Sequence, residues 1–186
     1  ADVDGGMDEF GLFLKPFAGG ETAPGRLVNA VLSQTVPATA GEGYSFSGWS
    51  LFEGGYSGGV TTLDPGSPFG AIPSPTRTEM ELAFLDTGGN VIGTPNLLDL
   101  RTVQDNFDFW VEHKFDDLLG GGSPLVAPAG TTNLRVTAAM YDGAYNVDPE
   151  IGGAQSTFFD DFTLVAASNP GTELLVNGNL DQLAPE

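Results

Sequence analysis

Short runs with a two-residue hydrophobic period, cut at close intervals by Gly, Pro, Asn and Asp, constrain this chain more than any other feature. Residues 78–86 (TEMELAFLD) put Met80, Leu82 and Phe84 on one side and Glu79 and Glu81 on the other. Residues 133–141 (NLRVTAAMY) do the same with Leu134, Val136, Ala138 and Met140. A strand alternates its side chains across the pleat, so each run has one face for a core and one for water. Residues 26–36, 44–52 and 156–165 read as further strands, and 91–94 as a return strand after the turn Thr87-Gly88-Gly89-Asn90. Residues 96–119 admit one or two helical turns and then a strand, favoured over 107–115. Residues 54–59 and 65–75 read as loops, because Gly and Pro interrupt ladders. Repeated short strands with frequent turns predict an all-β antiparallel sandwich.

Composition limits the functions open to such a sandwich. The 186 residues hold 25 Asp+Glu against 6 Lys+Arg, a formal net charge of -19. Nucleic-acid backbones are bound by neutralising phosphates with Lys and Arg, so no nucleic-acid partner is expected. The chain has no Cys, which excludes disulfides, thiolate metal sites and a Cys nucleophile. No apolar run approaches the roughly 20 residues of a membrane span. The sequence has no N-x-S/T acceptor for N-linked sugar.

Catalytic motifs are weak. Gly55-Tyr56-Ser57-Gly58-Gly59 fits G-x-S-x-G, but Val-Thr-Thr-Leu-Asp-Pro-Gly follows it instead of the helix that a nucleophile elbow needs. His113, the one histidine, lies between Glu112 and Lys114 and is expected to be exposed on a strand. A single His is too few nitrogen ligands for zinc. Asp2-Val3-Asp4-Gly5 begins like a calcium-binding EF-hand loop, but the later ligands are missing. A carboxylate pair for glycoside cleavage stays open, because acids are abundant and spacing in sequence says little.

Several motifs occur in one order: residues 3–8 (VDGGMD); Gln34-Thr35-Val36, Gly41, Tyr44 and Trp49; Leu85-Asp86-Thr87-Gly88-Gly89; Trp110; Ala127-Pro128-Ala129-Gly130-Thr131; and Asp160-Asp161-Phe162-Thr163-Leu164. In that order, over residues 3–166, the chain resembles the jelly-roll carbohydrate-binding modules of families 4, 9 and 22, among the galactose-binding-like sandwiches. It departs from their pattern in having Asp8 for the usual Glu and Asp4 for the opening Asn. The resemblance implies a jelly roll at residues 1–167 and a non-catalytic module, so the chain is expected not to be an enzyme. It also implies a structural calcium tying the first strand to the last through Asp8 and one of Asp160 or Asp161. A sugar site in such a sandwich would use exposed rings, for which Tyr56, Trp110, Tyr141 and Tyr145 are the candidates. Tyr44 and Trp49 are expected to be core or half-buried.

Residues 168–186 stand apart. After Ser168-Asn169-Pro170-Gly171, residues 172–183 (TELLVNGNLDQL) read as one more strand, and Val176-Asn177-Gly178-Asn179-Leu180-Asp181 repeats the V-(D/N)-G-x-(M/L)-D form of residues 3–8. The strand could pair within its own domain, open a tandem module, or add to a neighbouring subunit. Strand addition of that kind is heterologous and generates filaments unless it closes. Leu174, Leu175, Val176 and Leu180 would supply the docking side chains. The expectation is thus a secreted or cell-surface structural or adhesive subunit that assembles head to tail with copies of itself, pilus- or fibril-like. The alternative is a carbohydrate-binding module with a polysaccharide partner.

Overall fold

The computed structural model describes residues 11–15, 27–53, 60–63, 71–73, 76–104, 108–144 and 156–181. The strands are β1 (Leu12–Leu14), β2 (Leu27–Pro37), β3 (Gly43–Phe52), β4 (Val60–Leu63), β5 (Ala71–Pro73), β6 (Arg77–Leu85), β7 (Asn96–Asp99), β8 (Val111–Lys114), β9 (Leu125–Val126), β10 (Asn133–Ala144) and β11 (Thr157–Ala166). Two single helical turns, α1 (Leu100–Val103) and α2 (Phe115–Leu118), flank β8. One sheet runs β1-β11-β3-β8, with β9 on β3; the other runs β2-β10-β6-β7. Every pairing is antiparallel. The chain crosses between the sheets at β1–β2, β2–β3, β7–β8, β9–β10 and β10–β11, and the first and last described strands pair in one sheet. The strands β4 and β5 form a separate hairpin inserted between β3 and β6.

The core is the sum of the inner faces. Met80, Leu82 and Phe84 of β6 and Leu134, Val136, Ala138 and Met140 of β10 are buried, as the alternation requires. Across from them lie Tyr44, Phe46 and Phe52 of β3 and Phe159, Phe162 and Leu164 of β11. The Phe46 ring sits 4.8 Å from Phe115 and 6.3 Å from Phe162. The turn after β6 is held by Asp86, whose Oδ1 accepts from the N–H groups of Gly88 and Asn90 at 2.8 and 2.9 Å. Gly89 takes φ 79° there, a conformation that glycine adopts without a Cβ penalty.

Some expectations change. The strand returning to β6 is Asn96–Asp99, and residues 91–94 contribute only the single bridge Leu85↔Val91. Gly93, at φ 73°, turns the chain before a ladder can extend. The strand expected over 107–115 is shorter, beginning at Val111 and ending where α2 starts. Ala71–Pro73, expected as loop, pairs with Val60–Leu63. β1 was not foreseen, and the opening strand expected at 3–8 lies outside the described residues.

The C-terminal segment is docked on its own sandwich but forms turns, not the expected strand. Asn177 and Leu180 take φ 56° and 57°, which breaks an extended ladder. Leu175 is buried, Leu174 and Leu180 pack partly against the core, and Val176 is 77% exposed. Val176 therefore docks through its backbone: its N–H donates to Gln34 Oε1 at 2.7 Å and its C=O accepts from Gln34 Nε2 at 3.1 Å.

Candidate functional site

Strand register places a mixed aromatic and acidic surface on the outer face of the β1-β11-β3-β8 sheet. Antiparallel partners share a face, about 5 Å apart. Trp49 pairs with Asp160 on one side and Glu112 on the other. One row along, Leu51 pairs with Phe158, and Phe158 with Phe13. The Phe13 and Phe158 rings lie 4.9 Å apart, tilted by 33°. In the next row the other way, Ser47 stands between Thr163 and Lys114. Lys114 Nζ is 3.0 Å from Glu112 Oε2, and this contact raises the lysine pKa, the hydrogen bond contributing more than the charge.

Trp49 is thus half-buried on the outward face, and the sequence did not single it out as a site residue. The pattern misleads because β3 inverts along its length. Tyr44 and Phe46 face inward, followed on the same face by Gly48 and Ser50, while the apolar Trp49 and Leu51 face outward. Gly48 is needed there: a Cβ would fall 2.6 Å from Phe162 Cδ1 and 2.8 Å from Met80 Cε.

The other candidates are scattered. Trp110, half-buried, immediately precedes Val111, whose partner is Ser50, so its backbone lies at the level of Leu51. Its neighbour Phe109 is 71% exposed. Tyr141 belongs to the other sheet, where the Arg77 guanidinium lies 5.3 Å from its ring centroid. Arg77 also pairs with Glu79 at 3.1 Å. Burial raises the Glu79 pKa against that pairing, with Asp99 and Glu81 adding to the rise. Tyr56 and Tyr145 lie outside the described residues.

At the proposed metal position, β11 bulges between Asp160 and Thr163, and Asp161 takes φ 46°. Asp160 is 2% exposed and its Oδ1 accepts from the Asp161 N–H at 2.9 Å. Asp8 is outside the described residues. Among the described residues no group of three or more His, Asp or Glu is placed to hold a metal ion. Calcium takes six to eight oxygens, so these residues alone do not fit one.

His113 is not the exposed residue expected from its charged neighbours. It faces inward from β8 opposite Gly48 and is 1% exposed. Ser50 Oγ donates to Gln104 Oε1 at 2.5 Å, so His113 Nε2–H is the donor to Ser50 Oγ at 2.9 Å and Gln104 Oε1 at 3.1 Å. Burial lowers the His113 pKa to about 4, against a smaller opposing effect of Glu112. Although a Ser and a His meet here, Ser50 is fully buried and its proton points away from the imidazole. The trio satisfies polar groups inside the core and is not arranged to activate a nucleophile.

No helix among the described residues is long and apolar enough to cross a membrane. No family model and no curated protein matches the sequence. Among solved structures, the chain is similar in fold to the enzymatically active domain of tailspike protein 4 of bacteriophage CBA120, at 12% identity and a TM-score of 0.44. The similarity spans 74% of this chain and 14% of that one, so the likeness concerns the β architecture alone.

Proposed function

We propose that the chain is a non-catalytic carbohydrate-binding sandwich, secreted or displayed at a cell surface, that holds a polysaccharide on the outer face of the β1-β11-β3-β8 sheet. One observation carries this reading: the half-buried Trp49 stands beside the exposed Glu112 on the outer face, with the Phe13–Phe158 pair one row away. An aromatic face receives the C–H face of a sugar ring, and flanking carboxylates and hydroxyls accept and donate to its hydroxyls. Native gels cast with soluble polysaccharides test it. The parent should be retarded by at least one glycan, and Trp49→Ala should weaken retention about tenfold or more, as loss of a central aromatic anchor does. Retardation by no glycan, or a Trp49→Ala variant that binds like the parent, removes the reading. Release of reducing ends would replace it with a hydrolase.

Calcium is kept within the proposal as a tie between Asp8 and the Asp160–Asp161 bulge. Chelation should then lower the melting temperature by several degrees, and Asp161→Ala should remove that sensitivity. A melting temperature indifferent to chelator discards the ion. Head-to-tail assembly through residues 172–181 stays a proposal too, and it requires that segment to leave the place it holds on its own sandwich.

A further inference from the structure

Along one side the two sheets do not close on each other. β1 flanks β11 only at Thr157, Phe158 and Phe159, so from Phe162 onward no described strand extends that sheet on the β1 side. The facing sheet reaches further, out to β2. Ala138 pairs with Leu32 and Val136 with Gln34. Antiparallel partners share a face, so Leu32 and Gln34 point inward with the buried Val136 and Ala138. The C-terminal segment bridges the gap. On the β11 side, Leu174 N–H donates to Leu164 C=O at 2.9 Å and Phe162 N–H to Gly178 C=O at 2.8 Å. Gly178 is pressed so close that a Cβ would lie 2.2 Å from the Phe162 carbonyl oxygen. On the β2 side, the Gln34 amide holds the Val176 backbone at both ends.

The bridge leaves space under it. Leu32 faces inward, yet 39% of its surface is exposed. It borders a half-open pocket of about 160 Å³, walled by Phe46, Val136, Ala138, Phe162 and Leu175 as well. None of the described residues that line this pocket is charged. Ser33 and Thr137 also border it, but they pair with each other one position away from Ala138. Their side chains therefore lie on the other face of the sheet. The oxygen and the nitrogen of the Gln34 amide are both spent on Val176. What the pocket offers a ligand is chiefly apolar surface.

We infer that this pocket is a binding site for an uncharged hydrocarbon group of about six carbon atoms, with the C-terminal segment as its outer wall. The size argument is direct: an apolar cavity of roughly 150 Å³ stays dry and admits benzene. The charge argument selects against an acid. A carboxylate in the pocket would lose its water and meet no cation, and the net charge of -19 would repel it on approach. The pocket lies between the sheets, away from the outer face that carries Trp49, so the inference is independent of the sugar-binding reading.

Benzene added to the full-length chain is the probe. It should raise the melting temperature by about 3 °C or more. It should also shift the methyl resonances of Val136 and Leu175 while leaving those of Leu98, on β7 and outside the pocket, in place. Ala138→Leu fills the pocket from its floor and Leu32→Phe from its mouth, and each should lose both responses. Benzoate, the same ring with a carboxylate, should produce neither at the same concentration. A parent that does not respond to benzene overturns the inference, as does a folded filled variant that still responds. Benzoate acting as strongly as benzene overturns it too. So does a Leu98 shift as large as that of Val136, which would mean diffuse partitioning into the core. If Ala138→Leu does not fold, Leu32→Phe decides alone, at a position exposed enough to accept the larger side chain.

Discussion

Replacing Phe46 by alanine should cost about 3–5 kcal/mol of folding stability, the upper part of the range for large-to-small core changes. The ring is 2% exposed in the core and contacts Phe115 of α2 and Phe162 of the neighbouring strand β11. It also lines a half-open pocket of about 160 Å³ beside the C-terminal segment. A void left by the ring would merge with that space, and surrounding strands held in two ladders cannot close over it. The cost of such a substitution grows with the volume left unfilled, which places this position within the range of core phenylalanines. Urea unfolding of parent and variant measures the difference. A loss under about 1 kcal/mol would mean that the ring is not packed between the sheets.

Acidification from pH 7 to pH 4 should cost roughly 3 kcal/mol through His113 alone. The imidazole has a folded-state pKa of about 4 against 6.5 for the free side chain, burial being the main cause. Between those two values the unfolded chain binds the proton and the folded chain does not, so stability falls as pH is lowered through that window. Above pH 6.5 neither state is protonated and the contribution is constant; below about 4 both are, and it is constant again. Nε2–H is already committed to Ser50 and Gln104, so a proton would enter at Nδ1 and place a charge inside the core. Carboxylates titrate near the lower end of the window, so the test is a comparison: His113→Gln should flatten the slope between pH 6.5 and 4.5 relative to the parent. Equal slopes in the two proteins would show that His113 takes up its proton as readily folded as unfolded.

The strands whose alternation is uniform could be read directly. Met80, Leu82 and Phe84, and likewise Leu134, Val136, Ala138 and Met140, face the core as their period implies. The site was harder to read for a specific reason. In β3 the inward positions 48 and 50 are Gly and Ser, because Phe162 fills the space over one and the His113–Gln104 pair bonds the other. Trp49, expected to be core or half-buried, is half-buried, and its outward direction is what polarity along the strand does not show. His113 was hidden similarly: Glu112 and Lys114 are on the exposed face, and a period of two puts the residue between them inside. The candidates Trp110 and Tyr141 carry the right chemistry, but pairing assigns them to different sheets, which spacing in sequence cannot show. The repeat shared by residues 3–8 and 176–181 was visible at once. The closeness of Gly178 to Phe162 is legible only in three dimensions.

The order β2-β10-β6-β7 leaves β2 at the edge of its sheet, and that strand is 11 residues long without a single charge. Leu27, Val31 and Leu32 are exposed along it. Edges of this kind ordinarily carry lysines, bulges or short lengths that prevent two molecules from zipping together. A net charge of -19 on the whole chain repels copies at a distance before such edges meet. Such a barrier is set by the medium, thinning as salt screens it and vanishing near the isoelectric point of about 4.1. How closely two such edges approach is therefore set by their surroundings as much as by the fold.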